Sequence, residues 1–370
     1  MRLLIVGVFT PVINWCGGAE WVGLNIINAL REQGHQVTLL CDKPLNRKKI
    51  QHVFNKQIDQ VQEIVFPLKL FPPSDYHNLY FDALRMLILK SKCDVLLDTY
   101  SNAMLPLVDV SYIHHPLLEL IEMGSTNKAS KLYFLPYKKY INSHKDIISR
   151  KLIFANSKFT AEAIRRQVDI DPYVLYPPVS KEIFNDIEIF NEERLNNVMT
   201  ISRICRGKNL ESIPYIAKST DKEISFTIVG LLDSVKVYFS MLKLIKQLQV
   251  ADRVKIITNL RRKELREMLL NSKIYLHPTI NEHFGISIVE AMSSGCIPIV
   301  HDSGGPKEFV SKRFRFQNSD EAAEKVEKTL KEWTPKKATK ISAYAEKFSE
   351  SNFAKQFLDI FNNHFQKKNF

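Results

Sequence analysis

Apolar and polar positions alternate along the chain with two periods that take turns, one of short continuous runs and one of helical spacing. Leu3 to Val8 is a buried strand in this reading, Gly18 to Glu32 a helix stopped by Gly34, and Gln36 to Leu40 a second strand. Together they form a βαβ unit of a doubly wound sheet. Further strands are predicted at Asp94 to Leu97, Val108 to Ile113 and Lys151 to Asn156, with Ser157 capping a helix that runs to Val168. Tyr176-Pro-Pro-Val179 fixes an extended connection, and the alternation then restarts. The second half gives strands at Val198 to Ile204, Ile224 to Val229, Val254 to Ile257 and Lys273 to His277, a helix from Asn209, and another from Gly285 to Ser294 ended by Gly295. From Asn318 onward the pattern is helical and charged. The fold class is therefore α/β, with a first domain over 1–178 and a second over 179–345.

The loops that follow the strands carry the candidate chemistry. Glu282 lies in the loop before the helix that starts at Gly285, and Glu290 lies along that helix. Alone, a glutamate before a helix is ordinarily a cap and one inside it is ordinarily solvated. Together they bracket a helix N-terminus where the backbone N–H groups of His283, Phe284, Gly285 and Ile286 converge and the helix dipole adds positive charge. Such a site suits a phosphorylated sugar, with amides for phosphate and carboxylates for hydroxyls. Arg203 and Lys208 flank another strand-to-helix loop, spaced to converge on one diphosphate, where each charge-assisted contact contributes about 1.5–3 kcal/mol.

In the first half, Cys16-Gly-Gly-Ala-Glu20 sits at a strand-to-helix turn, where Gly17 and Gly18 let backbone approach a ligand. Its spacing is not that of the G-x-G-x-x-G dinucleotide fingerprint. Tyr112-Ile-His-His-Pro116 closes a strand, so His114 and His115 stand where parallel sheets bind ligands, although paired histidines are more often surface or capping residues. Asp169 and Asp171 form an Asp-x-Asp that follows a helix and leads into a strand; metal-binding carboxylates need a strand end, so this is read as a surface turn.

The length of 370 residues accommodates two domains, each with its own core. Five scattered cysteines without a C-x-x-C pair argue for reduced thiols and against zinc or a disulfide framework, which places the chain in the cytoplasm. No apolar run reaches bilayer length and no signal peptide is recognised, so the expectation is a soluble chain or one peripheral to the cytoplasmic face of a membrane. A net charge of +12 calls for an anionic partner, and nucleic acid, nucleotide diphosphates and anionic lipid all qualify. The segment Lys128 to Lys151 interleaves lysines with Leu132, Tyr133, Phe134, Leu135, Tyr137 and Tyr140. It is either an ordinary amphipathic helix on the sheet or a patch that meets anionic lipid.

The stretch His277 to Pro306 resembles the Glu-x7-Glu signature of family 4 glycosyltransferases, with Glu282 and Glu290 as its carboxylates. The flanks Asn281-Glu-His-Phe-Gly-Ile286 and Ser303-Gly-Gly-Pro-Lys307 are similar to those of the α-1,2-mannosyltransferases that use GDP-mannose to extend a lipid-diphosphate oligosaccharide in N-glycan assembly. The resemblance implies a GT-B architecture, two Rossmann-like domains facing across a cleft, with acceptor on the first, donor on the second, and a last helix over 346–370 crossing back to the first. It further implies retention of anomeric configuration, no essential metal and no cofactor beyond the nucleotide-sugar donor. His114 would hold or polarise the donor sugar, Glu282 would bond its hydroxyls, Glu290 the ribose, and Arg203 with Lys208 the diphosphate. Thr258-Asn-Leu260 would place Asn259 and Leu260 at the nucleobase, while Gly17, Gly18, Glu20 and His115 would line the acceptor side. Three other readings stay open: a family member using a UDP-sugar in polysaccharide synthesis, a nucleic-acid-binding protein, and a non-catalytic scaffold. No recognisable nucleic-acid-binding module is present, and the cations lie at strand-to-helix loops.

Overall fold

The computed structural model describes residues 3–67, 78–124, 128–180 and 194–366. The chain divides into two compact units, Met1–Pro178 with Glu350–Phe370, and Val179–Ser349. Among the described residues of the two units, the first unit carries seven strands: β1 (Ile5–Phe9), β2 (Gln36–Cys41), β3 (Gln62–Val65), β4 (Val95–Asp98), β5 (Val110–Ile113), β6 (Leu152–Ala155) and β7 (Tyr173–Val174), in the order β3-β2-β1-β4-β5-β6-β7. The second carries six: β8 (Leu195–Ile201), β9 (Ser225–Gly230), β10 (Val254–Thr258), β11 (Ser272–His277), β12 (Ile297–His301) and β13 (Arg315–Phe316), in the order β10-β9-β8-β11-β12-β13. Every pairing is parallel, so strand order reverses beside the first strand of each unit and ligand-binding loops gather at the carboxyl ends. The α/β, doubly wound class predicted from the alternation is the class observed.

Strands buried on both faces explain the continuous apolar runs. In β4, β5 and β6 every residue is buried. The helix predicted from Gly18 to Glu32 spans Gly18–Glu32, and Ser157 caps the helix Lys158–Val168 through its hydroxyl, which accepts from the Thr160 N–H. In the second half the strand ends at Ile201 and the next helix is Ser212–Lys218, three residues later than predicted. Asn209 adopts a left-handed conformation, φ 52°, and its side-chain amide donates to the Pro278 carbonyl at 3.0 Å, so it belongs to a loop tied to a distant loop.

After Ser349 the helix Glu350–Gln366 belongs to the first unit. Phe353, Phe357 and Phe361 recur every four residues, which places them on one face, and all three are buried. Phe357 meets Phe154 in a tilted contact with ring centroids 5.5 Å apart, Phe353 meets Tyr112 at 6.2 Å, and Phe361 meets His35 at 5.9 Å. Full burial of such a ring contributes about 1.5–3 kcal/mol, so this helix is part of the first unit's core. Residues 346–349, grouped by sequence with that helix, instead stay with the second unit. Phe348 packs on Phe284 and Phe309, and its carbonyl accepts from the Val179 N–H at 2.8 Å. Residues 367–370 at the end of the predicted helical stretch lie outside the described residues.

Candidate active site

In the second unit, β11 delivers His277 to the end of the sheet, buried and stacked against Tyr275. Pro278 then breaks the strand and the loop turns back through Asn281, whose φ of 54° is left-handed, to Glu282. There the His277 Nε2 and the Lys208 Nζ meet the same carboxylate oxygen, Glu282 Oε2, at 3.2 Å and 2.9 Å. The Lys208 loop is fastened to the Glu282 loop by the Asn209 bond to Pro278 and by the Thr279 hydroxyl, which donates to the Lys208 carbonyl at 3.4 Å. Burial would push the Glu282 carboxyl up, but the hydrogen bond from His277 and the charge of Lys208 outweigh it and hold the group well below the usual carboxylate range. Glu282 is therefore a fixed anion, ready to accept from hydroxyl groups with the capacity its two partners leave.

A second loop braces the first. The Asn281 N–H donates to the Ser303 hydroxyl at 2.7 Å, and the Gly305 N–H donates to the Glu282 carbonyl at 2.8 Å. Between them Gly304 has a left-handed φ of 69°, and a Cβ there would stand 2.3 Å from the Glu282 carbonyl oxygen. Only glycine lets these two backbones approach so closely. The Ser303-Gly-Gly-Pro run thus sets the height of Glu282.

Beyond Glu282, Gly285 caps the helix Ile286–Ser293 with a φ of 86° and no side-chain cap bond. The N–H groups of the first turn are the ones a helix leaves unsatisfied. Ser287 is held by Tyr275, whose hydroxyl lies 2.7 Å from the Ser287 Oγ and 3.1 Å from the Ile201 carbonyl, linking the ends of β8 and β11 to the helix start. Glu290, in the second turn, pairs with Arg262 at 3.6 Å. Among the described residues Arg203 does not share a partner with Lys208: it is exposed and its guanidinium is 3.3 Å from Asp233 in the loop after β9. Asn259, φ 58°, and Leu260 follow β10, and the Asn259 N–H donates to the Gly230 carbonyl. Asp233, Arg262 and His277 are the residues that the sequence did not single out. The strand-end position of His277 was the only available signal, because the pairings arise from the meeting of separate loops.

Burial pushes the imidazole of His283 down to about 4, with the Glu282 charge opposing this only in part. A histidine kept neutral on folding contributes its stability in full above pH 6.5, where folded and unfolded chains are both neutral. Below that pH the unfolded chain takes up the proton first, so stability falls between pH 6.5 and about 4. The loss amounts to about 2–3 kcal/mol once partial exposure is allowed for. Urea unfolding of the chain should show this slope, and His283→Gln should flatten it. Glu282, with its lowered carboxyl, adds a further loss only below pH 4.5.

In the first unit, β5 ends at Ile113 and is followed by His114 and His115, whose N–H groups both donate to the Asn102 side-chain oxygen, at 2.7 Å and 3.3 Å. The His114 Nε2 lies 3.1 Å from the Thr99 carbonyl, a contact that sets the proton on Nε2. Tyr112, predicted as part of the same motif, is a core residue whose hydroxyl donates to the Leu175 carbonyl at 2.7 Å. Gly17 caps the first helix and Gly18 begins it. Glu20 is buried, and its carboxylate accepts from the Gly17 N–H at 2.8 Å, so it caps its own helix. Asp169 ends the helix Lys158–Val168 in a left-handed conformation, and Asp171 pairs with Arg165 at 2.5 Å. Among the described residues, no group of three or more His, Cys, Asp or Glu is placed to hold a metal. No helix among them is long and apolar enough to cross a membrane.

Two adjoining family models match the chain, Glycosyltransferase Family 4 over residues 16–182 and Glycosyl transferases group 1 over residues 183–348. The chain belongs to glycosyltransferase family 4. A GDP-Man:Man(3)GlcNAc(2)-PP-Dol alpha-1,2-mannosyltransferase of Dictyostelium discoideum is 26% identical over 63% of this chain and 52% of its own length. Its counterpart in Neurospora crassa is 30% identical over 50% of this chain and 37% of its own. The chain thus spans about half the length of these curated relatives or less. The human alpha-1,3/1,6-mannosyltransferase ALG2 is 27% identical over 76% of each chain. Among solved structures, a glycosyltransferase from Rickettsia africae superposes with a TM-score of 0.74 at 16% identity, each chain fully covered. Anabaena HepE in complex with UDP and glucose gives 0.72 at 16% identity over 97% of this chain and all of its own. These likenesses establish for this family 4 glycosyltransferase the two Rossmann-like domains of the GT-B architecture.

Proposed function

We propose that this family 4 glycosyltransferase moves mannose from GDP-mannose onto a lipid-diphosphate-linked glycan, with retention of configuration and without an essential metal. The observation that carries this reading is the Glu282 carboxylate, held by Lys208 and His277 at the mouth of a helix whose first amides point outward. When the sugar–phosphate bond breaks, negative charge grows on the departing diphosphate and positive charge on the sugar ring. Lys208, with Arg203 from the other end of its loop, would answer the first, and the amides of Ile286 and Ser287 would assist. Glu282, an anion throughout, would accept from sugar hydroxyls and stabilise the ring charge. Glu290 would take the ribose after parting from Arg262, and Asn259 with Leu260 would flank the base. The first unit would present the acceptor near Gly17, Gly18 and His115, and His114 would hold or polarise the donor sugar. The similarity to GDP-mannose enzymes supports the choice of donor, and the basic, aromatic helix Lys128–Ser143 supports an acceptor presented on anionic lipid.

A panel of nucleotide sugars, read by thermal shift and by product analysis in the presence of EDTA, tests the proposal. A donor at a hundred times its Kd should add about 2.7 kcal/mol of stability. GDP-mannose should give the largest shift and a product with retained configuration. A larger shift with UDP-glucose, or transfer that requires added Mg²⁺ or Mn²⁺, would overturn the donor or the metal-free mechanism respectively.

A further inference from the structure

The helix Val235–Gln247 of the second unit begins two residues after Asp233, the partner of Arg203, and along its length exposes large apolar side chains that the site described above does not use. Val235 is 56% exposed, Phe239 62% and Leu242 38%, and Leu231 just before the helix is 58% exposed. At 100° per residue the three helix positions fall on one stripe, while Met241 and Ile245 on the other side are buried in the core. Lys246 continues the stripe one turn on, Lys236 and Lys243 border it, and all three are exposed. The helix sequence VKVYFSMLKLIKQ contains no carboxylate.

This composition decides among occupants. Packing the stripe against a second copy would gather six lysines around a closed apolar seam, with no acidic group on either helix to pair them. A bilayer with anionic headgroups suits both parts at once: the apolar stripe enters the boundary of the acyl chains while lysine side chains extend along it and keep their ammonium groups among the phosphates. We propose that this helix is an interfacial docking element that seats the second unit on anionic lipid. The inference extends the reading of a lipid-linked acceptor, and it is separable from it because transfer to a water-soluble acceptor measures the latter alone.

The test uses the full chain with vesicles of phosphatidylcholine, with and without phosphatidylserine. Phe239→Trp places a reporter on the stripe; its emission should shift to the blue on anionic vesicles and stay unchanged on neutral ones. The triple variant K236E/K243E/K246E should lower partitioning at least about a hundredfold at low salt. Because these positions are exposed, thermal unfolding should be unchanged in all variants. An indole that stays fully hydrated when the chain meets anionic vesicles, or a triple variant that partitions like the wild type, would overturn the proposal. So would a concentration-dependent dimer that Phe239→Ser dissociates, since the occupant would then be a second copy. If the helix binds lipid but no mannose is transferred to the soluble acceptor, the docking inference stands and the proposed reaction falls.

Discussion

Replacing Lys208 by Ala is expected to lower kcat by about a hundredfold to ten-thousandfold, with a smaller cost to the fold. Lys208 pairs with Glu282 at 2.9 Å, and each charge-assisted contact it makes to a departing diphosphate contributes about 1.5–3 kcal/mol. Its removal also leaves the Glu282 carboxylate on His277 alone. Losing one partner of a well-buried pair costs about 3–5 kcal/mol, and the lysine side chain here is 24% exposed, so about 1–2 kcal/mol is the reasonable share. Arg203 separates the two effects. It is 63% exposed and among the described residues pairs with Asp233, so Arg203→Ala should leave thermal stability within about 0.5 kcal/mol while still reducing turnover. Steady-state kinetics together with urea unfolding of both variants decides the matter. If Lys208→Ala loses activity only in proportion to stability, or if Arg203→Ala is fully active, the cations do not clamp the leaving group.

The contrast between Lys208 and Arg203 also shows where sequence reading stops. The strands, the helix Gly18–Glu32 and the helix begun at Gly285 were legible because burial on one or both faces imposes a period, and glycine punctuates it. Glu282 and Lys208 were both legible as single candidates. Their pairing, with Lys208 and His277 on the same Glu282 oxygen, was not, because it depends on Asn209 adopting a left-handed turn and bonding Pro278, 69 residues away. That same tie delays the helix to Ser212. Glu20 stands three residues after Gly17, the spacing of a helix cap, so its bond to the Gly17 N–H was readable from local rules even though the motif around it suggested a ligand. Arg262 and Asp233 had no local signal: each meets its partner only because the carboxyl ends of parallel strands converge.

The expectation for the first unit is that reversing Lys131, Lys138, Lys139 and Lys145 to Glu abolishes its share of binding to anionic vesicles. The helix Lys128–Ser143 turns Phe134, Tyr137 and Ile141 into the core, which accounts for the ordinary amphipathic reading of the segment. Yet Leu132 is 70% exposed, and Leu135 and Tyr140 are exposed with it, beside Lys131, Lys138 and Lys139. A helix that only packs on a sheet has no need of these apolar side chains on its outer face. Each lysine near an anionic surface contributes about 1 kcal/mol, so four reversals remove about 4 kcal/mol of attraction and add repulsion of similar size. Transfer to a long-chain lipid acceptor should then fall far more than transfer to a short soluble analogue. Salt should mimic the reversal, because the Debye length shrinks from about 10 Å at 0.1 M to about 3 Å at 1 M. Cosedimentation and the two-acceptor assay measure this directly. Equal slowing with both acceptors, or vesicle binding that the reversal leaves intact, would show that the outer face of this helix meets water alone.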